Sequence, residues 1–275
     1  MQFVSAKGAQ LPALGLGTWA LSGRSCYDAV RAALAIGYRH IDTAELYGNE
    51  AEVGAAIRDS GVTRAEIFVT TKVPMGELRA PQIRHNVEQS LKRLGSNYVD
   101  LLLIHWPSRR EPLAETLGAF AEARAKGQAR FIGVSNFTVA LLREAIEIHG
   151  ADIVCNQVEY HPYLSQRLVL AALAKYGLLL TAYSPLGRGR AAADRDLIRI
   201  GQAYGKTPSQ VALRWLLDQP NVAAIPKSSN RAHLAANFAI FDFALSAADR
   251  AVIDAKRGGT RLVDPTGWAP AWDPA

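Results

Sequence analysis

Short apolar runs with almost no polar alternation recur along the chain: YRHID (38–42), IFVTTKV (67–73), VDLLLIHW (99–106), RFIGVS (130–135), IVCNQVEY (153–160), LLLTAYS (178–184) and VAAIP (222–226). A strand with one wetted face alternates apolar and polar residues. Runs that are apolar throughout read as strands covered on both faces. LPALGLGTW (11–19) is a weaker eighth run. Between the runs the period becomes helical. YDAVRAALAIG (27–37), PQIRHNVEQSLKRLG (81–95), LAETLGAFAEARAKG, TVALLREAIEIHG and SQRLVLAALAKYG follow this plan. The second opens with Pro in its first turn and ends on Gly after Lys and Arg, the signals of a helix start and stop. A longer helical stretch covers 194–219, with TPSQ restarting it.

About eight strands alternating with about eight helices predict parallel strands joined by crossover helices. An open doubly wound sheet would carry a Gly-rich fingerprint after its first strand. GLGTWALSG keeps Gly15 and Gly17 but has Ala20 at the third position, and it lies too early in the chain and too isolated to serve as one. The expected fold is therefore a (β/α)8 TIM barrel, one domain over residues 1–275, with an N-terminal β-hairpin around Lys7-Gly8 capping its N-terminal end.

Composition changes this picture little. The 275 residues are 49% hydrophobic and 20% charged, ordinary for a globular chain. No apolar run approaches the ~18 residues of a membrane span, and the start MQFVSAKGAQLPALG has no apolar leader pattern. The net charge of +6 is spread along the chain without a basic block, so nucleic-acid binding is not expected. Cys26 and Cys155 form neither a disulfide framework nor a zinc spacing, and they fit a reducing cytoplasm.

In such a barrel the working groups lie at the C-terminal ends of strands. That rule selects Asp42, Tyr47 in the following loop, Lys72 and His105. Each alone has a plain structural explanation: a turn, a core aromatic, a solvated strand end, a satisfied buried histidine. Together they suit one chemistry. A phenol ordinarily titrates near ~10, and a nearby ammonium favours its ionised form. Asp42 is the candidate partner that keeps Lys72 charged, and a neutral imidazole at His105 can donate to a carbonyl oxygen. The quartet reads as a tuned general acid beside an electrophilic site, suited to an oxygen that becomes negative as hydride arrives. No HExxH or GxSxG pattern offers metal or serine hydrolysis. Downstream, Ser135, Asn136 and Gln157 offer groups for a carboxamide. Tyr183 is an aromatic platform, and Lys227-Ser228 precede a helix start that suits a phosphate. Turn formation and an ordinary cap explain those last segments as well.

At this point the sequence resembles the aldo-keto reductase family over nearly its whole length. GYRHIDTAELYGNEAEVG, LLLIHWP, GVSNF and IPKS are similar to the family's successive motifs. Within the family it most resembles short bacterial members related to 2,5-diketo-D-gluconate reductases and methylglyoxal reductases. The resemblance implies carbonyl reduction by NADPH on a barrel without a dinucleotide-binding domain. It implies Tyr47 as proton donor, Asp42 and Lys72 as its tuners, and His105 as the group that orients substrate. It places Gly17, Thr18, Asp42, Ser135, Asn136, Gln157, Tyr183, Ser184, Leu186, Gly187, Ile225, Lys227, Ser228, His233 and Asn237 around the cofactor. Trp19 and Trp106 become pocket walls. Two positions depart from the family: His233 stands where Arg usually meets the 2′-phosphate, and Ala236 where an acid meets the adenine. NADPH is therefore expected with NADH as an alternative donor. The short PSRRE loop after the fourth strand, with Arg109-Arg110, implies an open pocket for small dicarbonyls or keto-acids. The chain is expected to act as a monomer on a small-molecule carbonyl substrate, without nucleic-acid or membrane partners. A non-catalytic NADP(H)-binding regulatory barrel and a phosphate-handling isomerase are the rival readings; the first keeps no need for the quartet, the second none for Tyr47 beside Lys72.

Overall fold

The computed structural model describes residues 2–259 and 261–274. Two short strands, β1 (Phe3–Ala6) and β2 (Ala9–Pro12), pair antiparallel around Lys7-Gly8, both at positive φ (45° and 82°). Eight parallel strands follow: β3 (Leu16–Gly17), β4 (His40–Asp42), β5 (Phe68–Val73), β6 (Val99–Ile104), β7 (Ala129–Ser135), β8 (Cys155–Glu159), β9 (Leu179–Tyr183) and β10 (Val222–Ala224), each paired with the next in chain order. The ring closes between its ends. Leu14 bridges Ala224 in parallel, the Gly15 amide donates to the Ala224 carbonyl at 2.9 Å, and the Gly17 amide reaches the Pro226 carbonyl at 3.1 Å. The expected barrel is present.

The weak eighth run is where sequence and structure part. Leu11-Pro12 belong to the hairpin strand, and only Leu16–Gly17 form a barrel strand. The Gly17 position explains the brevity: a Cβ there would meet the Ile225 carbonyl oxygen at 2.7 Å, so only glycine lets the two strand ends approach. The crossover helices lie where the 3.6-residue period put them. The helix Ala80–Leu94 carries Pro in its first turn and stops at Gly95 with φ 60°. The stretch at 194–219 is two helices, Arg195–Tyr204 and Pro208–Leu217, the second opened by a reciprocal Thr207–Gln210 capping box. Beyond Thr138, five α-helical residues (Val139–Arg143) run into a single π turn (Glu144–Ile148). Both cysteines are free and buried. Among the described residues no helix is long and apolar enough to cross a membrane.

The N-terminal end of the barrel is structural. Asp100, at the start of β6, accepts from Arg64 (2.8 Å), Arg130 (2.9 Å) and the Val69 amide (2.9 Å), so its buried charge is fully compensated. His40 opens β4 beside it. Its Nε2 lies 3.3 Å from Thr70 Oγ1, while Nδ1 is buried and without a partner among the described residues. Burial holds this ring down to a pKa of about 4.

An unfolded histidine titrates near ~6.5, so the unfolded chain takes up the proton that folded His40 refuses. This contribution is intact above about pH 6.5 and is lost progressively as pH falls towards 4, reaching about 3 kcal/mol in full. Denaturant unfolding at pH 7.5 and pH 4.5 checks it. His40→Gln should shrink the stability difference between the two pH values by most of that amount; an unchanged difference would contradict the assignment.

Candidate active site

At the C-terminal end of the barrel, successive strands deliver groups to one place. β4 ends at Asp42 and β5 carries Lys72. Lys72 Nζ lies 2.5 Å from Asp42 Oδ1, 2.8 Å from the Thr43 carbonyl and 3.3 Å from the Tyr47 hydroxyl. From the far wall of the barrel, Gln157 Nε2 donates to the other oxygen, Asp42 Oδ2, at 2.6 Å. Both charged side chains of the pair are sealed from solvent, while Tyr47 is half-buried and opens to the mouth. Tyr47 does not lie in an open loop: it closes a single turn of 3-10 helix, Glu45–Tyr47. Its ring meets His105 edge-on at 5.6 Å and the half-exposed Trp19 at 5.0 Å. Trp106 is buried and packs edge-on against Trp272 of the C-terminal tail at 6.1 Å.

The electrostatics correct one expectation. Lys72 does pull the Tyr47 phenol downward, yet burial outweighs it and the net shift is upward. Burial also presses on Lys72, but Asp42 and then Tyr47 more than compensate, and the ammonium stays above its ordinary range. Burial, then the Lys72 charge, hold His105 well below the ordinary imidazole range. At neutral pH the site therefore contains a protonated phenol, an ammonium and a neutral imidazole. His105 Nδ1 has no partner among the described residues.

The residues expected on the cofactor side are wired to one another. Ser135 Oγ donates to the Gln157 carbonyl at 2.8 Å, and Asn136 Nδ2 donates to the His105 carbonyl at 2.9 Å. Tyr183 Oη donates to Asn136 Oδ1 at 2.8 Å. Asn136 adopts φ 63°, which turns its amide inward from the end of β7. Thr18 donates through both its amide and Oγ1 to the Asp42 carbonyl, each at 3.0 Å. After Tyr183 the chain passes through Ser184, Gly187, Arg188 and Gly189, all at positive φ, with Leu186 half-buried among them. Ile225 closes against Gly17 at the end of β10. The helix after IPKSSN, Arg231–Phe238, does not present free cap amides: Asn230 Oδ1 accepts from Ala232 and His233, and Ser228 Oγ accepts from the Asn230 amide. The exposed charge at this end comes instead from Lys227 and Arg231, with the exposed His233 and the buried Asn237 on the same helix as Arg231. An array of cations, hydroxyls and amides around a glycine-permitted approach suits a dinucleotide.

Two supports escaped the sequence reading. Thr43 Oγ1 donates to Asn49 Oδ1 at 2.7 Å, and Asn49 Nδ2 donates to the carbonyls of Thr18 and Leu21 at 2.9 and 2.8 Å, fastening the Tyr47 turn to β3. The clue was the pair of polar residues directly after Tyr47-Gly48. Glu159, fully buried, accepts from the amides of Leu262 and Val263 at 2.8 and 2.9 Å and from His161 Nε2 at 3.0 Å. Its parity with Gln157 on β8 was the signal. With Arg109 donating to the Ala269 carbonyl at 2.8 Å, the tail is drawn across the strand ends from β8 towards β6. Arg109 is thus engaged by the tail rather than free in the loop.

The aldo/keto reductase family model matches residues 13–257. The chain belongs to this family. Membership makes it an NAD(P)H-dependent oxidoreductase acting on small carbonyl substrates. Methylglyoxal reductase DkgB of Salmonella typhi is 42% identical over 266 residues, 96% of this chain and 99% of that protein. A crystal structure described as a putative 2,5-diketo-D-gluconic acid reductase B superposes with a TM-score of 0.97 at 46% identity, covering 100% of this chain and 98% of that one. The aldose reductase of Schistosoma japonicum superposes with a TM-score of 0.90 at 30% identity, over 96% of this chain and 94% of that one.

The ionisation states carry their own test. Ring signals of His105 followed by NMR should show no titration between pH 8 and 6, because burial and Lys72 both oppose protonation. A midpoint near the free imidazole value of ~6.5 would overturn this account.

Proposed function

We propose that the protein reduces small aldehydes and ketones (dicarbonyls, keto-sugars or keto-acids) to alcohols with NADPH, Tyr47 supplying the proton. The carrying observation is the Tyr47 hydroxyl 3.3 Å from an ammonium that Asp42 locks in its charged form. When bound, the nicotinamide supplies hydride to the carbonyl carbon. The oxygen left behind needs a proton as its charge grows. Burial keeps the Tyr47 phenol protonated until that moment. Once the proton leaves, Lys72 faces the new phenolate and lowers its cost. A neutral His105, beside the Tyr47 ring, donates to the same oxygen and fixes its direction. Gln157 and Asp42 hold the lysine aimed. Ser135, Asn136, Gln157 and Tyr183 bound the nicotinamide side; Ser184, Leu186 and Gly187 bound the diphosphate; Lys227, Ser228, His233 and Asn237 receive the adenosine phosphate. Trp19 and Trp106 shape the substrate entrance. The similarity to a methylglyoxal reductase and to a putative 2,5-diketo-D-gluconic acid reductase supports the dicarbonyl class.

Tyr47→Phe keeps the ring and its packing but removes the acid. Carbonyl reduction should fall at least ~10²-fold with cofactor affinity preserved. Near-normal turnover by the folded variant would sink the role.

Cofactor choice turns on His233. An imidazole offers the phosphate a single ring N–H, whereas a guanidinium offers a charged fork. His233→Arg should therefore raise the affinity advantage of NADPH over NADH, a charged hydrogen bond contributing roughly 1.5–3 kcal/mol. Dissociation constants for both cofactors, wild type and variant, decide it. No gain from arginine would transfer the role to Arg231.

A further inference from the structure

Behind the Tyr47 turn lies a second ionic network that the reaction itself never touches. Arg93, near the end of the helix Ala80–Leu94, donates from Nε to Glu50 Oε2 at 2.8 Å and lies through Nη2 3.2 Å from Glu45 Oε1. Glu50 is sealed from solvent and accepts on its other oxygen from Thr71 Oγ1 at 2.5 Å. These contacts fall at telling positions. Glu45 opens the 3-10 turn that Tyr47 closes, and Glu50 opens the helix directly after it, Glu50–Asp59. Thr71 immediately precedes Lys72 on β5.

One guanidinium therefore grips both sides of the turn carrying Tyr47. Through Glu50 it also grips the strand residue next to Lys72. Asn49 fastens the same turn from the β3 side. Of these ties, only the Arg93 network reaches both Tyr47's turn and Lys72's strand.

We infer that Arg93 and Glu50 are positioning residues that set the Tyr47–Lys72 separation from outside the barrel. The inference rests on the proposed roles of Tyr47 and Lys72. A carboxylate that is buried yet fully bonded between two elements acts as a rigid spacer, because any shift would strand a charge without water. The forked guanidinium matters too, since it engages two carboxylates at once where an ammonium on a flexible stem is a single point charge.

The test uses Arg93→Met, Arg93→Lys and Glu50→Gln in the full-length protein, with Tyr47→Phe as control. Loosening the clamp should lower kcat about tenfold, because a displacement of a fraction of an ångström at the reacting atoms is enough. Cofactor dissociation constants should stay unchanged. The alkaline limb of the kcat profile should move to higher pH, since a phenol farther from Lys72 feels less of its charge. Arg93→Lys should recover part of both effects. Should Arg93→Met fail to fold, Glu45→Gln loosens only the outer arm and should show smaller shifts of the same sign. A folded Arg93→Met or Glu45→Gln with normal kcat and an unmoved limb, beside an inactive Tyr47→Phe, overturns the clamp. An active Tyr47→Phe instead overturns the proton-donor reading on which it stands.

Discussion

A lysine and an aspartate 2.5 Å apart with no access to water are an expensive thing to build into a barrel. Removing each charge from water costs several kcal/mol, and mutual attraction repays this only when the remaining hydrogen-bonding capacity is also used. Here it is. The ammonium has three donors and finds three acceptors in Asp42, the Thr43 carbonyl and Tyr47. The carboxylate has one oxygen on Lys72 and the other on Gln157. Buried pairs are poor stabilisers relative to apolar packing of the same volume. What this one supplies is a fixed positive charge, unable to turn away, beside a phenol. That charge acts on both neighbours: Lys72 opposes charge on the His105 imidazole and favours it on the Tyr47 phenol, where burial outweighs it.

The pair depends in turn on the ladder of parallel strands. Asp42 pairs with Thr70, so Lys72, two residues beyond Thr70, projects on the same side and one step nearer the mouth. Gln157 arrives from β8, 115 residues along the chain, because ring closure brings β8 across from β4. A one-residue slip of any of these strands would turn its polar group away from the centre. The opposite end of the barrel carries charge under different rules. Asp100 is surrounded by permanent cations, and burial keeps the proton off His40 against the pull of Asp42, the Pro12 backbone and Asp100.

Much of this was legible in the chain. Strands buried on both faces leave an unbroken apolar signature, and a polar residue at the end of such a run stands out. Asp42, Lys72 and His105 were visible for that reason, and so was the fold class. Boundaries were less visible. LPALGLGTW divides between a hairpin and a two-residue barrel strand, because a glycine-permitted contact with Ile225, far along the chain, decides where pairing begins. The sign of the Tyr47 shift was hidden too. A list of neighbouring residues gives the charge effect of Lys72 but not the burial that exceeds it. At the IPKSSN segment the sequence leaves a phosphate site and an ordinary cap both open; Asn230 occupies the amides of Ala232 and His233, a local cap that is readable only once the helix start is placed at Arg231.

What the sequence concealed most completely are ties between distant segments. Glu159 holds amides 103 and 104 residues away, and Arg93 reaches Glu50 across 43. The two ties act on different layers. The floor of the site, from Asp42 to Gln157, is fixed by strand register and by fully bonded buried charge. Its rim is made of the half-exposed Trp19 and a tail fastened at Glu159, Arg109 and the edge-on Trp106–Trp272 pair. Rim groups can therefore change shape without moving the Tyr47–Lys72–Asp42 cluster, while a floor group cannot change without disturbing its neighbours. On the proposed roles, that separation is a physical reason for one floor to serve carbonyl compounds of different outline: the reacting groups are held where the backbone ladder permits no adjustment, and the rim where only a few side-chain and amide bonds must be re-made.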